Sequence, residues 1–225
     1  MKYTLAILTI IFACTSKEQK QNQEEGWEIL FDGSNLDAWR MYQNRPNNSW
    51  AIEDGVLHCK DFDQAQQRAD LITKKQYENF ELHFEWKIAF QGNSGVMFRV
   101  SEELSQPYFS GPEFQLIDDV GYPGELTDLH KTGANYAMHV ATNAQINPAG
   151  EWNKGRLIVN GNYVEHWIND VMVLSYELGT EEWKSLKDNS KWKDEAGYGA
   201  YPKGHISLQD HGQEVWFRNI KIKAL

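Results

Sequence analysis

Glu113 and Gln115 stand two apart in the run Glu113–Ile117, with Phe114 and Leu116 in alternation with them. Residues two apart on a strand share a face. Phe114 and Leu116 belong to a core face, so Glu113 and Gln115 project together from the other. That puts a carboxyl able to give or take a proton beside an amide that hydrogen-bonds hydroxyl groups. The plainer alternative is a solvated strand carboxylate paired with Arg99, next to an exposed amide. The run His205–Gln209 has the same pattern. Ile206 and Leu208 face the core, and His205, Ser207 and Gln209 share the opposite side. Arg99 alternates with Phe98, and its guanidinium there would steady a developing oxyanion, bind a hydroxyl pair, or serve as an ion-pair partner of Glu113 or Glu85. If these strands share one sheet, Glu113, Gln115, Arg99, Gln209 and His211 converge in a single cleft.

Asp210 and His211 are adjacent at a strand end. A carboxylate neighbour can hold an imidazole tautomer and raise its pKa, which suits an acid–base pair; a turn aspartate and a surface histidine is the competing reading. His130 lies in the Gly-rich, charged stretch 121–133, either on a lid or simply exposed. Trp152 and Trp39 offer flat faces for a ring, or pack in the core. Asn93 and Ser94 suit a turn. Cys59 lies in a strand-like run and reads as a buried structural thiol. His205, Asp210 and His211 lack the helical spacing of the familiar zinc motif, and no phosphate loop or dinucleotide fingerprint occurs. No cofactor is expected, although a divalent metal is left open.

The elements that must position these residues have a period of two. Phe80, Leu82, Phe84, Trp86, Ile88 and Phe90 alternate with polar residues for most of their length, and Val96, Phe98 and Val100 continue beyond Gly92-Asn93. The two runs are expected to form a hairpin. Further strands are expected at 27–31, 50–53, 55–58, 113–117, 136–140, 156–160, 163–168, 171–176, 205–209 and 215–223. In the last, Val215 and Phe217 hand their phase to Ile220 and Ile222, which predicts a bulge near Arg218-Asn219. Residues 181–196 suit a loop or short helix. Many short strands with regular turns indicate an all-β sandwich or jelly roll of two antiparallel sheets.

The chain has 225 residues, 41% of them hydrophobic, with 9 Trp, 10 Tyr and 10 Phe, enough for one large β domain. Its net charge of −10 argues against nucleic acid, which requires clustered Lys and Arg. Residues 1–14 read as a leader: Lys2, a short apolar run from Leu5 to Ala13, then Ile11-Phe12-Ala13-Cys14, which resembles a lipoprotein cleavage box. Lipidation of Cys14 would anchor the protein to a bacterial membrane, with 15–25 as a polar tether and 26–225 as one domain. Export does not bring a disulfide, because only Cys59 would remain.

Strings spread over 26–225 together resemble the 3-keto-disaccharide hydrolase family (DUF1080). They include Gly26-Trp27-Glu28-Ile29-Leu30-Phe31-Asp32-Gly33, Asn93-Ser94-Gly95-Val96-Met97-Phe98-Arg99, Gly111-Pro112-Glu113-Phe114-Gln115, His166-Trp167-Ile168-Asn169 and Gly204-His205-Ile206-Ser207-Leu208-Gln209-Asp210-His211-Gly212. Asp170 stands where the family usually shows Gly, a change the turn tolerates. The resemblance implies a concanavalin-like jelly roll with a concave sugar cleft, and cleavage of glycosides carrying a ketone at C3. A separate oxidoreductase would supply that keto sugar. The ketone acidifies the C2 hydrogen, so a base can remove it, the C1 oxygen can leave, and water can add back. The chemistry calls for a base near C2, an acid near the leaving oxygen and a donor for the enolate. Glu113, His211, Asp210 and, through the resemblance, His166 are the catalytic candidates; Arg99, Gln115, Gln209, His130 and Trp152 are the substrate-binding candidates. A non-catalytic carbohydrate-binding lipoprotein is the alternative.

Overall fold

Alternation of apolar and polar residues gives two antiparallel sheets that bury their facing sides against each other. The computed structural model describes residues 26–225; the expected leader, the lipidation site Cys14 and the tether lie outside them. The strands are β1 (Trp27–Phe31), β2 (Trp39–Met41), β3 (Trp50–Glu53), β4 (Val56–Cys59), β5 (Leu71–Thr73), β6 (Phe80–Ile88) and β7 (Asn93–Val100). They continue with β8 (Glu113–Ile117), β9 (Asn153–Asn160), β10 (Tyr163–Ile168), β11 (Val171–Glu177), β12 (His205–Leu208) and β13 (Val215–Ala224). One sheet has eight strands in the order β11-β10-β9-β6-β13-β4-β3, with β1 also on β13; the other runs β2-β5-β12-β7-β8. This is the expected jelly-roll sandwich. The core between the sheets includes Phe80, Phe84 and Phe217 from one side and Phe98, Phe114 and Ile206 from the other.

Three local expectations change. β6 and β7 do not form a hairpin: β6 pairs with β9 and β13, β7 with β8 and β12. The turn after Ile88 carries the chain from one sheet to the other, so the apolar faces of the two strands meet across the core, with Phe80 and Phe98 6.5 Å apart. Phe90 falls in that turn and is exposed. Residues 136–140 form turns rather than a strand. The short strands β2 and β5 were not foreseen. The bulge near Asn219 is present: the β13–β6 register shifts between Arg218 and Lys221, and Asn219 has φ 51°. The helix α1 (Glu181–Asp188) starts at Thr180, whose hydroxyl caps the Trp183 N–H.

Candidate active site

The five-stranded sheet collects polar residues on its outer face. β8 pairs with β7 in the register Gly95↔Gln115 and Met97↔Glu113, and β12 with β7 in Leu208↔Val96. Gln209 follows, donating its N–H to the Gly95 carbonyl. On the other edge of β12, Leu208 pairs with Leu71, so Asp70 stands beside Gln209. One row therefore runs Asp70, Gln209, Gly95, Gln115, and the next runs Ile72, Ser207, Met97, Glu113. Gly95 gives the Glu113 carboxyl its place: a Cβ there would lie 2.2 Å from Glu113 Oε1.

These groups are buried polar residues rather than a solvated face. Glu113 is 3% exposed, Gln115 1%, Ser207 0% and Gln209 9%. Burial pushes the Glu113 carboxyl up to about 8, with Lys191 pulling it down, Asp70 pushing it further up and Gln209 favouring its ionised form. Asp70 is pushed up to about 7, again first by burial. The Asp210 N–H, which donates to Asp70 Oδ1 at 3.0 Å, works against that rise, while the Asp210 charge adds to it. Among the described residues only four buried side-chain polar atoms lack a hydrogen-bond partner, and two of them, Ser207 Oγ and Gln209 Oε1, lie in this patch. Buried polar atoms without partners are uncommon and mark places where a ligand can supply them. Gln115 donates to Asn93 Oδ1 at 3.0 Å.

Loops complete the surroundings. Lys191 Nζ lies 4.5 Å from the Tyr136 ring centroid and 4.4 Å from that of Trp192. Burial lowers its pKa and Glu113 raises it. Trp192 stacks on Tyr198 at 4.5 Å, and Tyr198 on Trp183 of α1 at 5.8 Å, so the helix anchors the segment that carries Lys191. His130 lies 5.1 Å from the Tyr136 ring, at the rim.

The expected convergence thus holds for Glu113, Gln115 and Gln209, with His130 at the edge. It fails for Arg99 and His211, and the further candidates His166, Asp210 and Trp152 are engaged elsewhere. Arg99 occupies a bulge, with φ 54° and a register shift between β12 and β7, which turns its side chain away from Glu113. Its Nη2 donates to the Gly161 carbonyl at 2.5 Å. His166 is fully buried on the core side, stacked on Phe114 at 4.5 Å, with Nδ1 2.9 Å from the Gly133 carbonyl. Burial holds its pKa down to about 3, so it stays a neutral core histidine. Asp210 and His211 do not act as a pair. Arg68 holds Asp210 Oδ1 through Nε and Nη2, Ser49 donates to Oδ2, and the exposed His211 meets Gln213 instead. Trp152 lies on the other sheet's outer side, under Arg218 at 4.1 Å. Cys59 is a buried free thiol whose pKa burial raises, as expected of a structural cysteine. Asp70 and Lys191 were missed. Asp70 precedes a three-residue strand too short to show alternation, and Lys191 sits in an irregular segment. Among the described residues no group of three or more His, Cys, Asp or Glu is gathered to hold a metal ion.

Residues 26–223 match the family described as the 3-keto-alpha-glucoside-1,2-lyase-like domain. A 3-keto-disaccharide hydrolase of Bacteroides thetaiotaomicron is 33% identical over 229 residues, spanning 89% of this chain and 79% of that protein. A solved structure from Parabacteroides distasonis, provisionally named a glycosyl hydrolase, superposes with a TM-score of 0.83 at 40% identity over 89% of this chain and 94% of its own. A second from the same organism, named in the same way, gives 0.68 at 27% identity over 88% and 99%. A Bacillus subtilis protein with a galectin-like fold gives 0.54 at 15% identity over 88% and 94%, a likeness of fold alone.

Proposed function

Since the chain belongs to the 3-keto-alpha-glucoside-1,2-lyase-like family, we propose that it is a glycosidase-type enzyme that cleaves 3-keto-glycosides by elimination and hydration. The observation that carries this reading is the pair of carboxyls, Asp70 and Glu113, that burial keeps protonated unusually high on one sheet face, beside the Ser207 hydroxyl and the Gln209 amide. Ordinary glycosidases place two carboxyls across an oxocarbenium-like state. A C3 ketone calls instead for a base that works near neutrality and an acid still protonated there.

In this reading Asp70 is the base and takes the C2 proton. The electron pair moves to the C3 oxygen as an enolate, which the Lys191 ammonium stabilises. When the enolate collapses, the C1–O bond breaks and Glu113 protonates the departing oxygen. Water then adds at C1 of the unsaturated ketone, with a proton returned to C2, and releases the 3-keto sugar. Ser207 Oγ and Gln209 Oε1 receive sugar hydroxyls. This assignment predicts a narrow bell in kcat/KM, rising through about pH 7 as Asp70 ionises and falling through about pH 8 as Glu113 loses its proton.

The test is to incubate the full chain with a 3-keto-disaccharide and with its unoxidised parent, and to follow glucose release. Release from the keto sugar alone supports the reading. Binding of both without release replaces it with a carbohydrate-binding role. The sequence also supports two companion proposals: anchoring in the bacterial envelope through a lipidated Cys14, checked by the mass of the N-terminal peptide, and supply of the keto sugar by a separate sugar-oxidising enzyme.

A further inference from the structure

A short stretch of chain extends the five-stranded sheet beyond Glu113. Asn135 forms an antiparallel bridge with Phe114, and the Tyr136 N–H donates to the Glu113 carbonyl at 3.1 Å. Residues opposite each other in an antiparallel pair share a face, so Asn135 follows Phe114 into the interior, where it is 0% exposed. Its neighbour Tyr136 then projects from the outer face with Glu113. The row Ile72, Ser207, Met97, Glu113 therefore ends on Tyr136, one strand spacing, about 4.8 Å, beyond Glu113. Three further bonds hold it there. Tyr198 Oη donates to Asn135 Oδ1 at 3.1 Å, and Trp192 Nε1 to the Tyr136 carbonyl at 3.1 Å. Ala137 turns at φ 62°, a conformation that a residue with a Cβ seldom adopts, and its N–H donates to the Leu129 carbonyl at 2.9 Å. That bond brings His130 beside the Tyr136 ring, at 5.1 Å. Lys191 rests on the ring at 4.5 Å, yet Tyr136 is only half-buried, and the rest of it is open to a ligand.

We infer that Tyr136 binds the leaving group and favours glycosides whose leaving group carries a ring of its own. This rests on the elimination chemistry proposed above. With Asp70 at C2 and Glu113 at the departing oxygen, the keto sugar lies across the sheet from β5 towards β8. Whatever leaves with that oxygen then extends past Glu113, over Tyr136 and His130. A tyrosine offers an apolar face to the C–H side of a second ring, and a hydroxyl at its edge for that ring's polar groups. A methyl leaving group would not reach it. A contact with the leaving group persists into the transition state for breaking the C1–O bond, so its loss shows in kcat/KM.

The full chain is compared with Tyr136→Ala and Tyr136→Phe on two substrates that share one keto sugar, a 3-keto-disaccharide and the methyl 3-keto-glycoside, following release of the 3-keto sugar. Tyr136→Ala should lower kcat/KM about tenfold more for the disaccharide than for the methyl glycoside. Tyr136→Phe, which keeps the ring, should restore most of that ratio. Taking the ratio against the wild type removes the difference in leaving-group chemistry, and a shift of Lys191 would lower both substrates alike. Tyr136→Leu takes the place of Tyr136→Ala if that variant does not fold. Equal losses on the two substrates would overturn the inference and leave the elimination reading standing. Release from neither substrate by the wild-type chain would overturn both.

Discussion

The two outer faces of the sandwich treat the same side chain in opposite ways. On the eight-stranded sheet, Glu85 accepts from Arg218 Nε at 2.8 Å and from Asn219 Nδ2 at 2.9 Å. Burial tends to raise its pKa, but those two partners outweigh it and hold the carboxyl below its usual range. Its neighbours are paired in the same manner: Arg156 lies 3.7 Å over the Trp167 ring, and Lys87 4.3 Å over Trp216. On the five-stranded sheet, Glu113 is buried without an ion pair of that kind and rises to about 8. A face rich in charge and aromatic rings is therefore not by itself a site. The face proposed here for the chemistry is the one where burial is left uncompensated.

Exchanging the two glutamates should break the symmetry most strongly. Glu113→Gln is expected to lower turnover by roughly 10²–10⁴, the usual worth of a positioned acid or base, whereas Glu85→Gln stays within about twofold. Steady-state kinetics on folded variants checks both, and equal losses would erase the distinction between the faces. Next in size is Gly95→Ala. Its methyl would meet Glu113 Oε1, so the carboxyl must move, and kcat should fall about tenfold or more with the fold retained. A smaller effect separates the faces by stability. The folded pKa of Glu113 is raised, so its contribution is fully present below its unfolded value, about 4.5, and is lost as pH rises through about 8. Melting curves should therefore show the wild type losing ground to Glu113→Gln across that window; for Glu85, whose pKa is lowered, the order against Glu85→Gln runs the other way at lower pH. The smallest effects belong to residues off the site. His211→Ala and Trp152→Ala should each keep turnover within about twofold, and a hundredfold loss in either would return that residue to the chemistry.

The legible and illegible parts of the molecule differ for a physical reason. The phase of β8 was readable because Phe114 and Leu116 mark one face, and Glu113 and Gln115 followed. The bulge at Asn219 was readable because Ile220 and Ile222 take over the phase of Val215 and Phe217. The bulge at Arg99 was not. Every residue of β7 is buried, so apolar residues lie on both faces: Val96 and Phe98 belong to the main core, while Met97 and Val100 pack with Tyr42 and Ile72 on the outer side. Hydrophobicity then carries no phase, and Arg99 was placed on the wrong side. His166 shared a face with Val164 and Ile168, and that face proved to be the core, where the Gly133 carbonyl and the Tyr176 hydroxyl meet its ring nitrogens. Sheet order, which brings Asp70 beside Gln209, is a long-range property that no local pattern of residues displays.

The sharpest test separates the two carboxyls by the atom each one serves. The full chain and its Asp70→Asn and Glu113→Gln variants would be incubated with a 3-keto-disaccharide in deuterated water, reading deuterium at C2 of the unreacted substrate alongside glucose release. With Asp70 as base and Glu113 as acid, Asp70→Asn loses both signals, whereas Glu113→Gln keeps C2 exchange and loses release. Exchange and release at wild-type rates in both variants would contradict the assignment of the chemistry to this face.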